Sequence, residues 1–328
     1  ARSEGLTRRL PPCDGLTREM ALPIQALLAR LGSRGAQDEW SRYLPLGLHG
    51  PREGDGGGAV GRPSQPLGQG TPEAAISAAC LRGGGRSAAV QGRVWTLAQE
   101  SRGCRWVQEA IRKASRAEAA ELASELRGHV ASAAWSPHAN HVLQLLIATL
   151  APEECQFIVD EIAEVGILEC ARNKYGCRII QRLVEHCPRR QVGFISEAIV
   201  KEALALSIQP YSNYVLQHMI VHGSCDDRQR ILNFAFGGAA VLCKFTHGCV
   251  VVLAAFENVA PDRQAALAER LAQEEGLLVS MACSRQGAAM VSRVLDVLNE
   301  PEVRHARSEM APAAANLAAS EHGRAILA

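Results

Sequence analysis

A chain of 328 residues is long enough to bury a large core, and with 47% apolar but only 4% aromatic residues that core is one of Ala, Leu, Val and Ile, the mixture of packed helices. Lys plus Arg (35) nearly cancels Asp plus Glu (34), so net charge alone points neither to nucleic acid nor to an anionic membrane. Eleven Cys, an odd number with no Cys-x-x-Cys pair, read as thiols of a reducing compartment, and the most apolar run, residues 237–259, is broken by Lys244 and His247 before it reaches membrane-spanning length.

Residues 1–49 offer only short helical pieces, 22–31 and 40–48, interrupted by Pro23, Gly32, Gly35 and Pro45, and read as a poorly ordered N-terminal segment. Residues 50–70 hold eight Gly and three Pro, whose backbone entropy no available apolar burial offsets, so this stretch reads as a disordered linker. From Thr71 the pattern turns helical, first over 72–81 and then, after Gly83-Gly84-Gly85, from Ala88 onward. The folded domain is expected over 71–328.

That domain repeats. Gly103-Cys104-Arg105-Trp106-Val107-Gln108 matches Gly176-Cys177-Arg178-Ile179-Ile180-Gln181, and Ala139-Asn140-His141-Val142-Leu143-Gln144 matches Ser212-Asn213-Tyr214-Val215-Leu216-Gln217. Weaker copies begin at Gly248, Gly287 and Gly323, so the seven anchors are spaced by 36, 37, 36, 36, 39 and 36 residues, a period that chance does not hold. Helix-start signals follow in phase at Ser115, Pro152, Pro188, Ser224, Pro261 and Pro301, with Ser115-Arg116-Ala117-Glu118 reading as a capping box and the prolines suiting a first helical turn. Short apolar segments such as 166–170 and 276–283 predict a third, short helix per unit. Units of this size must stack to bury their apolar faces, which makes an all-α solenoid.

On a helix the second and sixth motif residues lie one turn apart on one face: Cys104 with Gln108, Asn140 with Gln144, Cys177 with Gln181, Asn213 with Gln217. The third residue, Arg105, His141, Arg178 or Tyr214, is planar, is offset by about 100° and projects towards the neighbouring unit. The fourth and fifth, apolar in every copy, are expected to face the core.

This constellation resembles the Pumilio (PUF) family, whose repeats carry Gly-Cys-Arg-x-x-Gln and Gly-Asn-Tyr-x-x-Gln motifs on an RNA-facing helix and read one base per unit. The resemblance spans roughly residues 88–328, with the segment at Gly323 similar to the family's C-terminal cap. It implies a right-handed superhelix of about 36-residue, three-helix repeats. The 39-residue step matches an insertion that the family carries before its final full repeat, making these the last six of eight; residues 94–98 leading into Gly103 resemble the first repeat of some members instead.

By the family's rule Asn with Gln specifies uracil and Cys with Gln adenine, while Arg105, His141, Arg178 and Tyr214 stack between successive bases. RNA bound antiparallel would then be read 5'-UAUA-3' by the repeats at 212, 176, 139 and 103 in that order. Cys249, Val250 and Leu253, like Ala288, Ala289 and Ser292, supply neither amide nor plate for the bases 5' of this core. Across residues 100–328 the net charge is −3, yet the seven motif segments sum to +7, so Arg102, Lys174 and Arg182 are candidate phosphate contacts.

Other chemistry finds little footing. Cys104 and Cys177 read as small buried or base-contacting residues rather than reactive thiols. His218 and His222, four apart with Cys225 nearby, lack a His-Glu-x-x-His frame and read as a helix-surface pair, so no metal is expected. Gly83-Gly84-Gly85 lacks the Lys of a phosphate loop, and no nucleophile elbow or supported carboxylate pair appears, so neither an enzyme nor a cofactor is expected. What the resemblance implies is a monomer that binds single-stranded mRNA in 3' untranslated regions, recruits effector proteins and controls stability or translation in the cytoplasm, without contacting membrane. The alternatives are a protein-interaction scaffold that has lost its code, or a low-selectivity nuclear or nucleolar RNA binder in ribosome biogenesis.

Overall fold

The computed structural model describes residues 86–327; the expected N-terminal segment 1–49, linker 50–70 and helix 72–81 lie outside the described residues. Within them the chain runs through 21 α-helices with one 3-10 turn and no strand. They are α1 (Arg86–Val90), α2 (Val94–Ala98), α3 (Ser101–Lys113), α4 (Arg116–Ser124), α5 (Val130–Trp135), α6 (Asn140–Thr149), α7 (Gln156–Val165), α8 (Ile167–Arg172), α9 (Gly176–His186), α10 (Arg189–Lys201) and α11 (Ala203–Ser207). There follow α12 (Asn213–His222), α13 (Cys225–Gly237), α14 (Ala239–Leu242), α15 (Thr246–Glu257), α16 (Pro261–Ala272), α17 (Leu277–Ala282), α18 (Arg285–Val297), α19 (Glu300–Met310), α20 (Ala314–Ala319) and α21 (Glu321–Leu327).

Every third helix from α3 to α21 carries a motif copy, and each motif helix packs on the next, from α3 against α6 through to α18 against α21. Behind them runs a row of backing helices, in which α7 packs on α10 and α10 on α13. The short helices α5, α8, α11, α14, α17 and α20 lead from one row to the next, as expected from their apolar segments. The array is an α-solenoid.

The fourth and fifth motif residues build its core: Val107, Val142, Leu143, Ile179, Ile180, Val215, Leu216, Val251, Val252, Met290 and Val291 are fully buried. Burying each such side chain contributes about 1.5–3 kcal/mol relative to exposure. Two positions depart from the expectation. Trp106 is only half-buried, and Leu327, in the last described turn, is 39% exposed.

Helix starts follow the sequence signals unevenly. Ser115 closes a full capping box with Glu118, Ser224 accepts from the Asp227 amide, Pro261 opens α16, and Pro301 follows Glu300 behind an Asn299–Glu302 capping box. Pro188 sits one position outside α10 as its N-cap. Pro152 does not begin a helix: the Glu154 amide reaches the Ala151 carbonyl three residues back, the Cys155 amide is shared between the Ala151 and Pro152 carbonyls, and this mixed turn delays α7 to Gln156. A cross-repeat clamp absent from the sequence reading also recurs. The Glu125 carboxylate accepts the amides of Gly92 and Val94 at 2.7 and 2.9 Å, and 36 residues on the Glu161 carboxylate takes those of Gly128 and Val130 at 2.8 and 3.1 Å. Gly92 and Gly128 both turn at positive φ, a conformation only glycine adopts at no steric cost.

Candidate nucleic-acid interface

The starts of the motif helices are fixed by two local devices, the first of them at four of the seven. A Ser or Asn three residues before the anchor caps it: Ser136 Oγ accepts from Ala139, Asn173 Oδ1 from Gly176, Ser284 Oγ from Gly287 and Ser320 Oγ from Gly323. The anchor itself is small because it meets the end of the preceding short helix. A Cβ on Gly103, Gly248, Gly287 or Gly323 would stand 2.2–2.3 Å from the carbonyl oxygen six residues earlier, and one on Gly176 would stand 2.6 Å away. Ser212 tolerates the same contact by donating its hydroxyl to the Leu206 carbonyl at 2.8 Å. With the helix start fixed, the register of the six motif residues is fixed too.

The second motif residues lie deep. Cys104, Asn140, Cys177 and Asn213 are at most 4% exposed, and three of them hold the glutamine four residues on. Gln144 Nε2 donates to Asn140 Oδ1 and Gln217 Nε2 to Asn213 Oδ1, each at 2.8 Å, while Gln108 Nε2 reaches Cys104 Sγ at 3.0 Å. The asparagines are anchored in turn by donating to the carbonyls of Ser136 and Gln209, and the Cys104 thiol donates to that of His138. Burial raises the pKa of both Cys104 and Cys177, so they stay protonated, small and unreactive. The second residue therefore orients the glutamine from below, and in the first of these repeats the Gln108 oxygen also accepts from Arg112 at 3.2 Å.

Gln181 breaks this pattern. Its side chain is 8% exposed, and its Nε2 is buried without a partner. Cys177 beneath it makes only a long contact, 3.5 Å, to the Lys174 carbonyl. Above lies a cleft of about 360 Å³ lined by Arg178, Gln181, Tyr214, Gln217, His218, Val221 and His222. Two planar side chains of successive repeats thus flank two amides, with Tyr214 52% exposed. A flat heterocycle could be held there by its faces and read at its edge.

The remaining plates continue the row. Arg105, His141 and Arg178 are all exposed. His141 has its pKa lowered by desolvation and by the charges of His138 and Arg178, so it presents a neutral ring at neutral pH. Of the candidate phosphate contacts, Arg102 is exposed and Lys174 is exposed with its ammonium 5.4 Å from the Tyr175 ring. Arg182 is paired with Glu185, which offsets its charge. Further along, Cys249 donates to the Cys243 carbonyl at 3.2 Å, Val250 and Leu253 are half-buried, and Ala289 and Ser292 are exposed, so neither unit displays an amide or a plate at the motif positions.

His218 and His222 do face one another on α12, rings stacked at 4.3 Å. Their third neighbour is Glu185 from α9, not Cys225. Glu185 belongs to the preceding repeat, 33 residues before His218, and no local pattern signals that pairing.

The Pumilio-family RNA binding repeat model matches residues 93–127, 136–163, 166–200 and 203–233, the four units with complete motifs. Over these residues the chain is built of Pumilio-family repeats. It is similar to putative pumilio homolog 8, chloroplastic, of Arabidopsis thaliana, 29% identical over 165 residues that cover 49% of this chain and 32% of that protein. Putative pumilio homolog 7, chloroplastic, of the same plant is 26% identical over 166 residues, 50% of this chain and 26% of that one. The chain thus spans about a third or less of the length of these curated relatives. Among solved structures, PUF-8 in complex with PBE-RNA superposes with a TM-score of 0.62 at 27% identity, covering 73% of this chain and 71% of that one. The Puf3 RNA binding domain bound to a Cox17 RNA 3' UTR recognition sequence superposes at 0.60 and 19% identity over 68% of each chain, a likeness of fold. A Pumilio array is a binding module and not an enzyme.

Proposed function

We propose that this protein binds single-stranded RNA sequence-selectively through the motif helices α3, α6, α9 and α12, one base per repeat, with a 5'-UAUA-3' core. The observation that carries the reading is the partnerless Gln181 amide beneath a cleft walled by Arg178 and Tyr214. A buried amide without a partner costs about 1–3 kcal/mol, which a base edge in the cleft would recover once the Gln181 side chain turns its amide towards it. The three other glutamines already held in register support the same use of their repeats, as does the similarity to PUF-8, solved with RNA. Bound transcripts would be mRNAs, and the outcome control of their stability or translation in the cytoplasm.

Stacking is worth about 1–3 kcal/mol per base and is tolerant of sequence, so the amides carry the selectivity and the plates much of the affinity. Gln181→Ala and Gln217→Ala therefore weaken binding while relaxing preference at the second and first core bases respectively, which competition with singly substituted RNAs reads out. RNA binding unchanged in both variants would contradict the proposal. A second reading has one observation in its favour: the bare motif faces of α15 and α18 suit a protein-interaction surface for that end of the array.

A further inference from the structure

We propose that Glu185, His218 and His222 form a binding site for one divalent transition-metal ion of the zinc class, at the rim of the cleft between the repeats at 176 and 212. The two histidines sit one turn apart on α12 with stacked rings, and both address the same carboxylate of the neighbouring motif helix: His218 Nε2 lies 3.2 Å from Glu185 Oε2, and His222 Nδ1 lies 3.9 Å from Oε1. All three donor atoms fall within 4.8 Å of one another. Ligands bound tetrahedrally at about 2.0–2.1 Å stand about 3.3 Å apart. The His218–Glu185 edge already has that length, and small side-chain rotations close the others. Two imidazoles and one carboxylate suit Zn²⁺ and its neighbours rather than Ca²⁺ or Mg²⁺, which take oxygen ligands only.

The ligands are supported and half-sheltered. The side chains of His218 and Glu185 are 14% and 21% exposed, while His222, at 41%, opens the site to solvent. Both histidines also line the cleft, so a three-ligand ion would turn its open coordination position towards it. Two neighbours share the Glu185 carboxylate, His186 with its Nε2 3.7 Å from Oε2 and Arg182, whose fixed charge opposes the ion. Arg182 pairs with Glu185 and must give up that partner or share the carboxylate when metal enters. The Arg182 cation thus lowers metal affinity, and this gives the proposal a signature that adventitious thiol binding lacks.

Titration of the full chain with Co²⁺, followed by its visible absorption, and then displacement by Zn²⁺ under calorimetry, tests the site without RNA. One equivalent is expected. His222→Ala and Glu185→Gln should each weaken binding tenfold or more, Arg182→Ala should strengthen it, and Cys225→Ser with Cys283→Ser, the two exposed thiols among the described residues, should leave it unchanged. Far-UV circular dichroism checks that each variant folds. Absence of saturable binding overturns the proposal, as does binding that survives both His222→Ala and Glu185→Gln. Because RNA takes no part, either result stands apart from the RNA-binding reading.

Discussion

Replacing Gly248 by Ala sets two physical effects against each other. Gly248 lies in the first turn of α15, and in a helix Ala is ordinarily better than Gly by about 1 kcal/mol. The added Cβ, however, would stand 2.2 Å from the Leu242 carbonyl oxygen and 2.8 Å from its carbon. Ordinary contact begins near 3.4 Å, so α15 and the end of α14 must part by about 1 Å. Both contacting groups are backbone, which no rotamer change relieves, and this places the cost at the upper end of overpacking, about 2–3 kcal/mol net. For a domain of this size that is a fall in Tm of about 4–12 °C. Gly193, in the middle of α10, is the control: its Cβ meets only the flexible Arg189 side chain at 3.5 Å, so Gly193→Ala should stabilise by about 0.5–1 kcal/mol. Thermal unfolding followed by far-UV circular dichroism compares the two, and amide exchange across 242–248 localises any loss, since a repeat array can open in parts. If Gly248→Ala were as stable as the parent or gained like Gly193→Ala, the close approach would not be what keeps the motif's first residue small.

Further expectations follow from burial and from the reading rule. Burial pushes the thiols of Cys155 and Cys170 up to about 12 and that of Cys187 up to about 11, so among the described thiols native-state alkylation should mark Cys225 and Cys283 first and spare those three until the chain unfolds; rapid labelling of Cys170 would contradict the packing around α8. Desolvation lowers the pKa values of His141 and His247 below the usual 6.5, so below that pH the unfolded chain binds protons that the folded chain resists, and stability should fall as pH drops from about 6.5 towards the lowered values. A Tm that rises over that window, or the same acid loss in a His141→Gln/His247→Gln variant, would assign the effect elsewhere. Asn140→Cys should turn the third core base from uracil to adenine, measured as a reversal of preference between UAUA and UAAA; an unchanged preference would deny the second motif residue its role.

The fold was legible because repetition is. A period of 36–39 residues with Gly or another small residue at each anchor needs no tertiary knowledge, and the apolar fourth and fifth positions point to the core by helical geometry. What stayed hidden depends on partners distant in sequence. The smallness of Gly103, Gly248 or Ser212 reflects a carbonyl on the preceding helix, the Glu125 and Glu161 clamps reach back to the previous repeat, and Glu185 joins His218 only once α9 and α12 stack. Pro152 shows the limit of local signals, since its composition suits a helix start while the chain makes a mixed turn there and α7 begins only at Gln156. The caps at Ser136, Asn173, Ser284 and Ser320 were within reach of sequence alone, three residues before four of the seven anchors.

The central claim is base-by-base reading, and fluorescence anisotropy of a labelled 12-nucleotide RNA containing UAUA tests it most directly, at stated salt and beside the four RNAs in which one core base is changed. Loss of about tenfold at each changed base, or about 1–3 kcal/mol, is the expected result, with the ordering fixing the register of α12, α9, α6 and α3 from the 5' end. Equal affinity for all five RNAs, or no binding to any, would contradict it.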